Sequence, residues 1–168
     1  MNLNTHSFLF QLATLGPLGR KFPAPGTIGS IFGILFFSLL NVFFELEIRT
    51  IVAVSLPLIL IGIPICTHAE RILKESDPKS VIWDEFSVIP LIFIFLEDSS
   101  LHTSNTHFLF WTISGLLLFR ALDILKPLGI NKLQNLPCGL GVMTDDIAAA
   151  LISAAALGVL QTFPLSFL

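Results

Sequence analysis

The chain has 168 residues, enough for one domain and too few for a second independent core. It is 54% hydrophobic and 12% charged, with 16 Phe, no Tyr and a mean hydropathy of +0.85, so it lacks the polar groups a soluble domain needs to cover its surface. The composition predicts an integral membrane protein, and a net charge of −3 without any basic stripe excludes a nucleic-acid footprint.

No basic segment leads into a cleavage site at the N-terminus, so no removable signal peptide is expected. Phe8–Leu15 is apolar but too short to span, and is expected at the interface or folded against a bundle. Spans are expected at Ile28–Phe44, Ile51–Thr67, Val81–Leu96, Phe108–Leu122 and Ile147–Phe163. The fold class is therefore all-α: a polytopic membrane bundle of about five spanning or partly spanning helices, in one domain over residues 1–168. The third span is short unless "VIWDEF" forms its first turns, and the fourth carries Arg120 near its end. Pro57, Pro64 and Pro90 fall inside spans, which neighbouring helices can accommodate. The small residues of "AAALISAAALG" (148–158) predict close helix packing. Cys66 and Cys138 offer neither a disulfide framework nor a metal-binding spacing, and Cys66 is expected to be buried in a span.

Five crossings place Arg20, Lys21, Arg71, Lys74, Lys79, Arg120, Lys126 and Lys132 on one side and only Arg49 on the other. By the positive-inside rule the N-terminus is cytoplasmic. The outer connections, "ELEIR" and "EDSSLHTSNTH", read as plain turns. Of the acidic residues, Glu70, Glu75, Asp77, Asp84, Glu85, Asp123, Asp145 and Asp146 lie inside, several at the ends of spans.

Four clusters share that inner rim. "PAPGTIGS" (23–30) leads into the first span: Thr27 can cap the helix, and Gly26 and Gly29 let backbone N–H groups approach an anion. No Lys follows Gly29, so this is not a nucleotide-binding loop, and a capped helix start explains it equally well. In "VIWDEF" (81–86), Asp84 and Glu85 are adjacent and so about 100° apart on a helix, able to bracket a metal rather than point at one partner. A helix start facing water, with Trp83 as an interface anchor, is the plainer account. In "FRALDILKP" (119–127), Arg120, Asp123 and Lys126 share a helix face; mutual pairing or a phosphate clamp explains them about equally. In "GLGVMTDD" (139–146), Thr144 reads as an N-cap with Asp145 and Asp146 in the first turn, which accounts for one carboxylate more easily than two.

Carboxylates on separate helices with Arg and Lys nearby suggest metal-assisted phosphoryl chemistry, since Mg2+ takes oxygen ligands and substrate phosphate oxygens. His6, His102 and His107 lie outside the clusters and His68 stands alone, so no zinc pattern exists. Glu70/Lys74 and Arg71/Glu75 have the i,i+4 spacing of a solvated helix face. "CTHAER" is one residue short of the Cys-phosphatase spacing and no Asp-x-Asp motif appears, which leaves a carboxylate-and-metal site with water or an Asp as nucleophile.

"PGTIGS", "DPKSVIWDEF", "FRALDILKP" and "GLGVMTDD", in this order and spacing, resemble the phosphatidylglycerophosphatase A family over about Leu15 to Ala150. The resemblance implies a Mg2+-dependent lipid phosphatase of the bacterial inner membrane that converts phosphatidylglycerophosphate to phosphatidylglycerol and inorganic phosphate. The residues matching its motifs are Asp84, Glu85, Arg120, Asp123, Lys126, Asp145 and Asp146 for catalysis, and Gly26, Thr27, Gly29 and Ser30 for the substrate. Asp84, Glu85, Asp145 and Asp146 are expected to hold the metal, with Glu85 or Asp146 as candidates to activate water. The chain departs from the family pattern at Cys138, where Gly is expected, and at Ser87-Val88. The expected partners are the phospholipid substrate and the membrane; the oligomeric state is left open. A small cation or proton carrier is the competing reading, disfavoured because the charges gather at one rim. A phosphatidyltransferase would need an Asp-Gly-x2-Ala-Arg signature that is absent.

Overall fold

The computed structural model describes residues 7–102 and 104–163, and among them every regular element is helical. His6 lies outside the described residues. The short helix α1 (Phe8–Ala13) is capped by Ser7, whose Oγ accepts from the Phe10 N–H at 3.3 Å. It buries Phe10 and Ala13, so this apolar stretch folds against the bundle. Ser7 also meets His68 (Oγ to Nε2, 2.9 Å), which gives that lone histidine a structural partner.

A single turn, α2 (Leu18–Lys21), precedes α3 (Pro25–Ser38), which a π-helical turn prolongs over Leu39–Phe43. Thr27 does not cap α3. Pro25, whose ring presets φ and which has no N–H to satisfy, takes the first helical position, and this starts the helix two residues before Thr27. Helix α4 (Ile48–Leu73) runs six residues past the expected end at Thr67, with Pro57 and Pro64 inside it. It ends at Lys74 in a left-handed conformation, so Lys74 and Glu75 leave the helix and the expected i,i+4 pairs have no common face. Glu70 Oε1 instead accepts from the Asp77 N–H at 3.1 Å, pinning the next loop.

The expected third span is not a continuous membrane helix. It consists of α5 (Trp83–Val88), a 3-10 turn over Ile89–Phe93 with Pro90 near its start, and a short tail. Together the helical residues rise about 19 Å, well below a hydrocarbon thickness of about 30 Å. The segment still passes from one end of the bundle to the other. Ile82 N–H donates to Ala13 O at its beginning, and Asp98, just past its end, accepts from the Ile48 N–H at 2.8 Å. Gln161 Nε2 holds Phe95 O there as well. Ser87 through Phe93 are all buried, so no lipid touches this irregular backbone and a broken crossing is tolerated. Trp83 is therefore no interface anchor; it is enclosed, and its Nε1 donates to Leu58 O at 3.0 Å.

The outer connection contains a further turn, α6 (Asp98–His102), and through Asp98 it caps α4 rather than serving as a plain turn. Helix α7 (Asn105–Leu125) follows, capped by Ser104, and then a 3-10 stretch over Pro127–Asn135. Helix α8 (Gly139–Leu160) completes the bundle. Among the described residues, four helical segments are long and apolar enough to cross a membrane: Pro25–Phe43, α4, α7 and α8. Their outward faces carry Leu35, Leu60, Leu109, Leu117 and Val159, all exposed, as lipid-facing surfaces do. The protein is an all-α membrane bundle. Helix α8 packs against α4, α7 and the 3-10 turn of the broken crossing through Ala149, Ala150, Ser153, Ala154 and Leu157, a buried stripe of mostly small residues.

Cys138 precedes α8 with φ +59° and ψ −160°, a region in which a Cβ is strained and glycine is at ease. The conformation explains why a glycine suits this position. Cys138→Gly is expected to raise stability by about 1 kcal/mol, read as a higher thermal midpoint in detergent.

Candidate active site

Helix α8 starts at Gly139, not at Thr144, because Gly139 N–H is taken by Thr67 Oγ1 (2.9 Å) and the chain turns at Cys138. Thr144 is thus inside the helix, with its hydroxyl on Leu140 O (2.7 Å). Asp145 and Asp146 lie beyond the first turn, roughly 9 Å along the axis from the helix start. Capping and the helix dipole do not explain them there. They are 3% exposed each, and Asp84 is 5% exposed, although charged side chains are almost never so buried without compensation.

These carboxylates meet. One oxygen from each of Asp84, Glu85 and Asp146 lies within 4.8 Å of the other two. Asp84 and Glu85, although adjacent, converge on one point because α5 is enclosed by α3, α4 and α8 rather than open to water. Asp84 Oδ1, Glu85 Oε2, Asp145 Oδ1 and Asp146 Oδ2 are buried without a hydrogen-bond partner among the described residues. A cluster of buried, unsatisfied, like-charged oxygens is expensive unless something cationic joins it.

Two cations flank the cluster, each held by a second carboxylate. Arg120 Nη1 donates to Asp123 Oδ2 at 2.6 Å, sits 3.7 Å from Glu85 Oε1, and reaches Ser30 Oγ at 3.5 Å. Lys126 Nζ donates to Asp145 Oδ2 at 2.6 Å and lies 3.9 Å from Asp77 Oδ2. Asp123 therefore does not receive a cation from each side. Lys126 leaves α7 in a left-handed conformation at its end and turns toward α8. Its pKa is raised: burial works against the charge, but the hydrogen bond and charge of Asp145 outweigh it. Burial pushes the Asp77 carboxyl up, Asp123 and Glu75 add to this, and Lys126 and Gln134 oppose it.

The groups line a cavity of about 350 Å³ that also takes in Gly26, Thr27 and Ile124. Of the four substrate-binding positions expected from the sequence, Gly26 and Thr27 line it, whereas Gly29 and Ser30 lie behind its wall. Gly29 packs on Ile82, and Ser30 Oγ donates to Gly26 O while accepting from Arg120. Gly26 is required by close approach: a Cβ there would sit 2.1 Å from Glu85 Oε1 and 3.1 Å from Arg120 Nη2. Asp77 and Lys79 line the same cavity and were not singled out from the sequence, where they read as loop charges. Asp77 is fixed by Glu70 through its N–H and by Gln134 Nε2 on Oδ2. The only available signal was their place in "DPKSVIWDEF".

A family model, Phosphatidylglycerophosphatase A, matches residues 11–161. The chain is 33% identical over 134 residues to Phosphatidylglycerophosphatase A of Escherichia coli, covering 79% of this chain and 72% of that protein. It is 30% identical over 151 residues to Phosphatidylglycerophosphatase A of Haemophilus influenzae, covering 85% and 82%. A Bacteroides thetaiotaomicron protein provisionally named phosphatidylinositol-3-phosphatase is 29% identical over 134 residues, covering 77% and 79%. No solved structure is significantly similar to this chain. With the match running through every element that builds the carboxylate cavity, the chain belongs to the phosphatidylglycerophosphatase A family.

Proposed function

We propose that this protein hydrolyses the terminal phosphate monoester of phosphatidylglycerophosphate, yielding phosphatidylglycerol and inorganic phosphate, with Mg2+ held by Asp84, Glu85 and Asp146. The observation that carries the reading is the convergence of those three carboxylates within 4.8 Å, beside Arg120 and Lys126, in one cavity. The donor set fits the metal: the three groups are all hard oxygen donors, and one buried oxygen on each lacks a partner among the described residues. When bound, the ion polarises the phosphoryl oxygens and offsets their developing charge.

The chain's own groups supply the rest. Arg120 and Lys126 are each held in place by a carboxylate beside the cluster, where their charge can offset that of the phosphoryl oxygens. Gly26 and Thr27 present the first turn of α3, whose free N–H groups suit an anion. Water forms the new bond to phosphorus, the bond to the glycerol oxygen breaks, and that oxygen takes up the proton that the attacking water loses. With Glu85 and Asp146 both in the metal cluster, that proton passes through Asp145, whose Oδ2 is clamped by Lys126 and whose Oδ1 has no partner among the described residues.

The cavity opens on the cytoplasmic face of the bacterial inner membrane in this reading, supported by the eight of nine Lys and Arg assigned to that side. The lipid stays in the bilayer by its acyl chains while its terminal phosphate enters the cavity. The test is phosphate release from phosphatidylglycerophosphate by purified protein in detergent. Release is expected with Mg2+, falls to background with a chelator, and returns when Mg2+ is restored. No release with any divalent ion sinks the phosphatase reading and leaves cation transport, measured in proteoliposomes, as its competitor.

A further inference from the structure

We infer that Lys79 binds the phosphodiester of the substrate, the second phosphate of a lipid headgroup whose terminal monoester lies at the metal. The inference rests on the phosphatase reading and names what reads the remainder of the headgroup. It starts from the cavity's charges. Six carboxylates (Asp77, Asp84, Glu85, Asp123, Asp145 and Asp146) and three cations line it. Arg120 and Lys126 are each bound to a carboxylate at 2.6 Å. Lys79 is exposed and forms no ion pair among the described residues.

An anion approaching this cavity meets an excess of carboxylates. The metal site, Arg120 and Lys126 serve the terminal phosphate, and a phosphodiester, which is ionised at every physiological pH, is held by the glycerol linker out of direct contact with them. A cation beyond those serving the terminal phosphate is what that second phosphate needs, and among the described residues lining the cavity Lys79 is the one not already engaged. Its side chain has no ion-pair partner among the described residues, while its backbone is held. Asp77 is held by Glu70 and Gln134, Val81 N–H donates to Pro78 O at 2.8 Å, and Ile82 N–H donates to Ala13 O at 2.9 Å. Ser80 O packs so closely on Gly19 that a Cβ there would lie 2.1 Å away. The segment is anchored on both sides, so the ammonium swings only from a fixed point on the cavity lining, which limits the ordering cost of binding.

The two reaction products separate the two phosphate sites. Phosphatidylglycerol carries only the diester, and inorganic phosphate carries only the group that leaves the metal. Product inhibition is measured for wild type, Lys79→Ala, Lys79→Glu and Lys79→Arg in detergent with Mg2+. Lys79→Ala is expected to raise the inhibition constant of phosphatidylglycerol about tenfold, the effect of one charge-assisted contact. Lys79→Glu raises it further, Lys79→Arg keeps it near wild type, and the constant for inorganic phosphate stays within about twofold in all three. An unchanged phosphatidylglycerol constant, or equal weakening of both products, overturns the inference. A wild-type protein that releases no phosphate overturns the phosphatase reading itself, which is a separate result.

Discussion

Asp146→Asn is expected to leave the protein folded and to lower kcat/KM for phosphatidylglycerophosphate by roughly three orders of magnitude, about 4 kcal/mol of transition-state stabilisation. Asn keeps the shape of Asp but removes the charge that would bind the metal with Asp84 and Glu85. Without metal, those three carboxylates repel one another; two unit charges at such separations interact by about 3–4 kcal/mol at an effective dielectric near 20. The metal-free variant is therefore expected to unfold at the same or a higher temperature than metal-free wild type, a trade of function against stability. Mg2+ raises the thermal midpoint of wild type by mass action and does so far less in the variant. Loss of activity with a lower midpoint in chelator points to a structural role for Asp146. Full activity removes it from the site.

Gly26→Ala is expected to cost about 100-fold in activity with little loss of stability, the loss that follows a misplacement of about 1 Å in a catalytic group. The added Cβ would lie 2.1 Å from Glu85 Oε1, so that oxygen must retreat by more than about 1 Å to reach ordinary contact, taking the carboxylate out of the cluster. The obstacle is the end of a flexible side chain, so folding yields at small cost, and alanine is a better helix former than glycine by up to about 1 kcal/mol. Gly33→Ala is the contrast. There a Cβ meets Ile89 Cγ1 at 2.5 Å and Phe86 O at 2.8 Å, and backbone has to move, so the thermal midpoint falls. A Gly26→Ala protein that keeps wild-type kcat/KM shows that the Glu85 position is not critical.

Much of the bundle was legible because the bilayer imposes a local signal. Runs of apolar residues mark Pro25–Phe43, α4, α7 and α8, and the termini missed by a few residues lie where polar groups ride on a helix outside the apolar zone. Thr67–Leu73 of α4 and Gly139–Asp146 of α8 are of that kind. The Val81–Leu96 crossing misled because its apolar residues serve a different purpose. Most of them from Val81 to Phe93 are buried in protein, while Phe95 near the end is exposed, and an enclosed segment of 3-10 and α turns has the same composition as a short membrane helix.

Composition and local order were sufficient for the membrane class and the all-α bundle, because both depend on residue types and short-range spacing. The residues of the cavity were likewise visible as charges in apolar surroundings, with the motif order pointing to the family. Which charges act together depended on packing between elements far apart in the chain. Asp84 and Glu85 converge with Asp146 because α5 is wedged among α3, α4 and α8. Lys126 turns from Asp123 to Asp145 because its backbone leaves the helix. Gly26 serves by having no side chain where Glu85 must stand, and Asp77 and Lys79 enter the cavity through a loop anchored elsewhere. Spacing along one helix describes a face, whereas a site is the meeting of faces, and only the tertiary contacts bring those faces together.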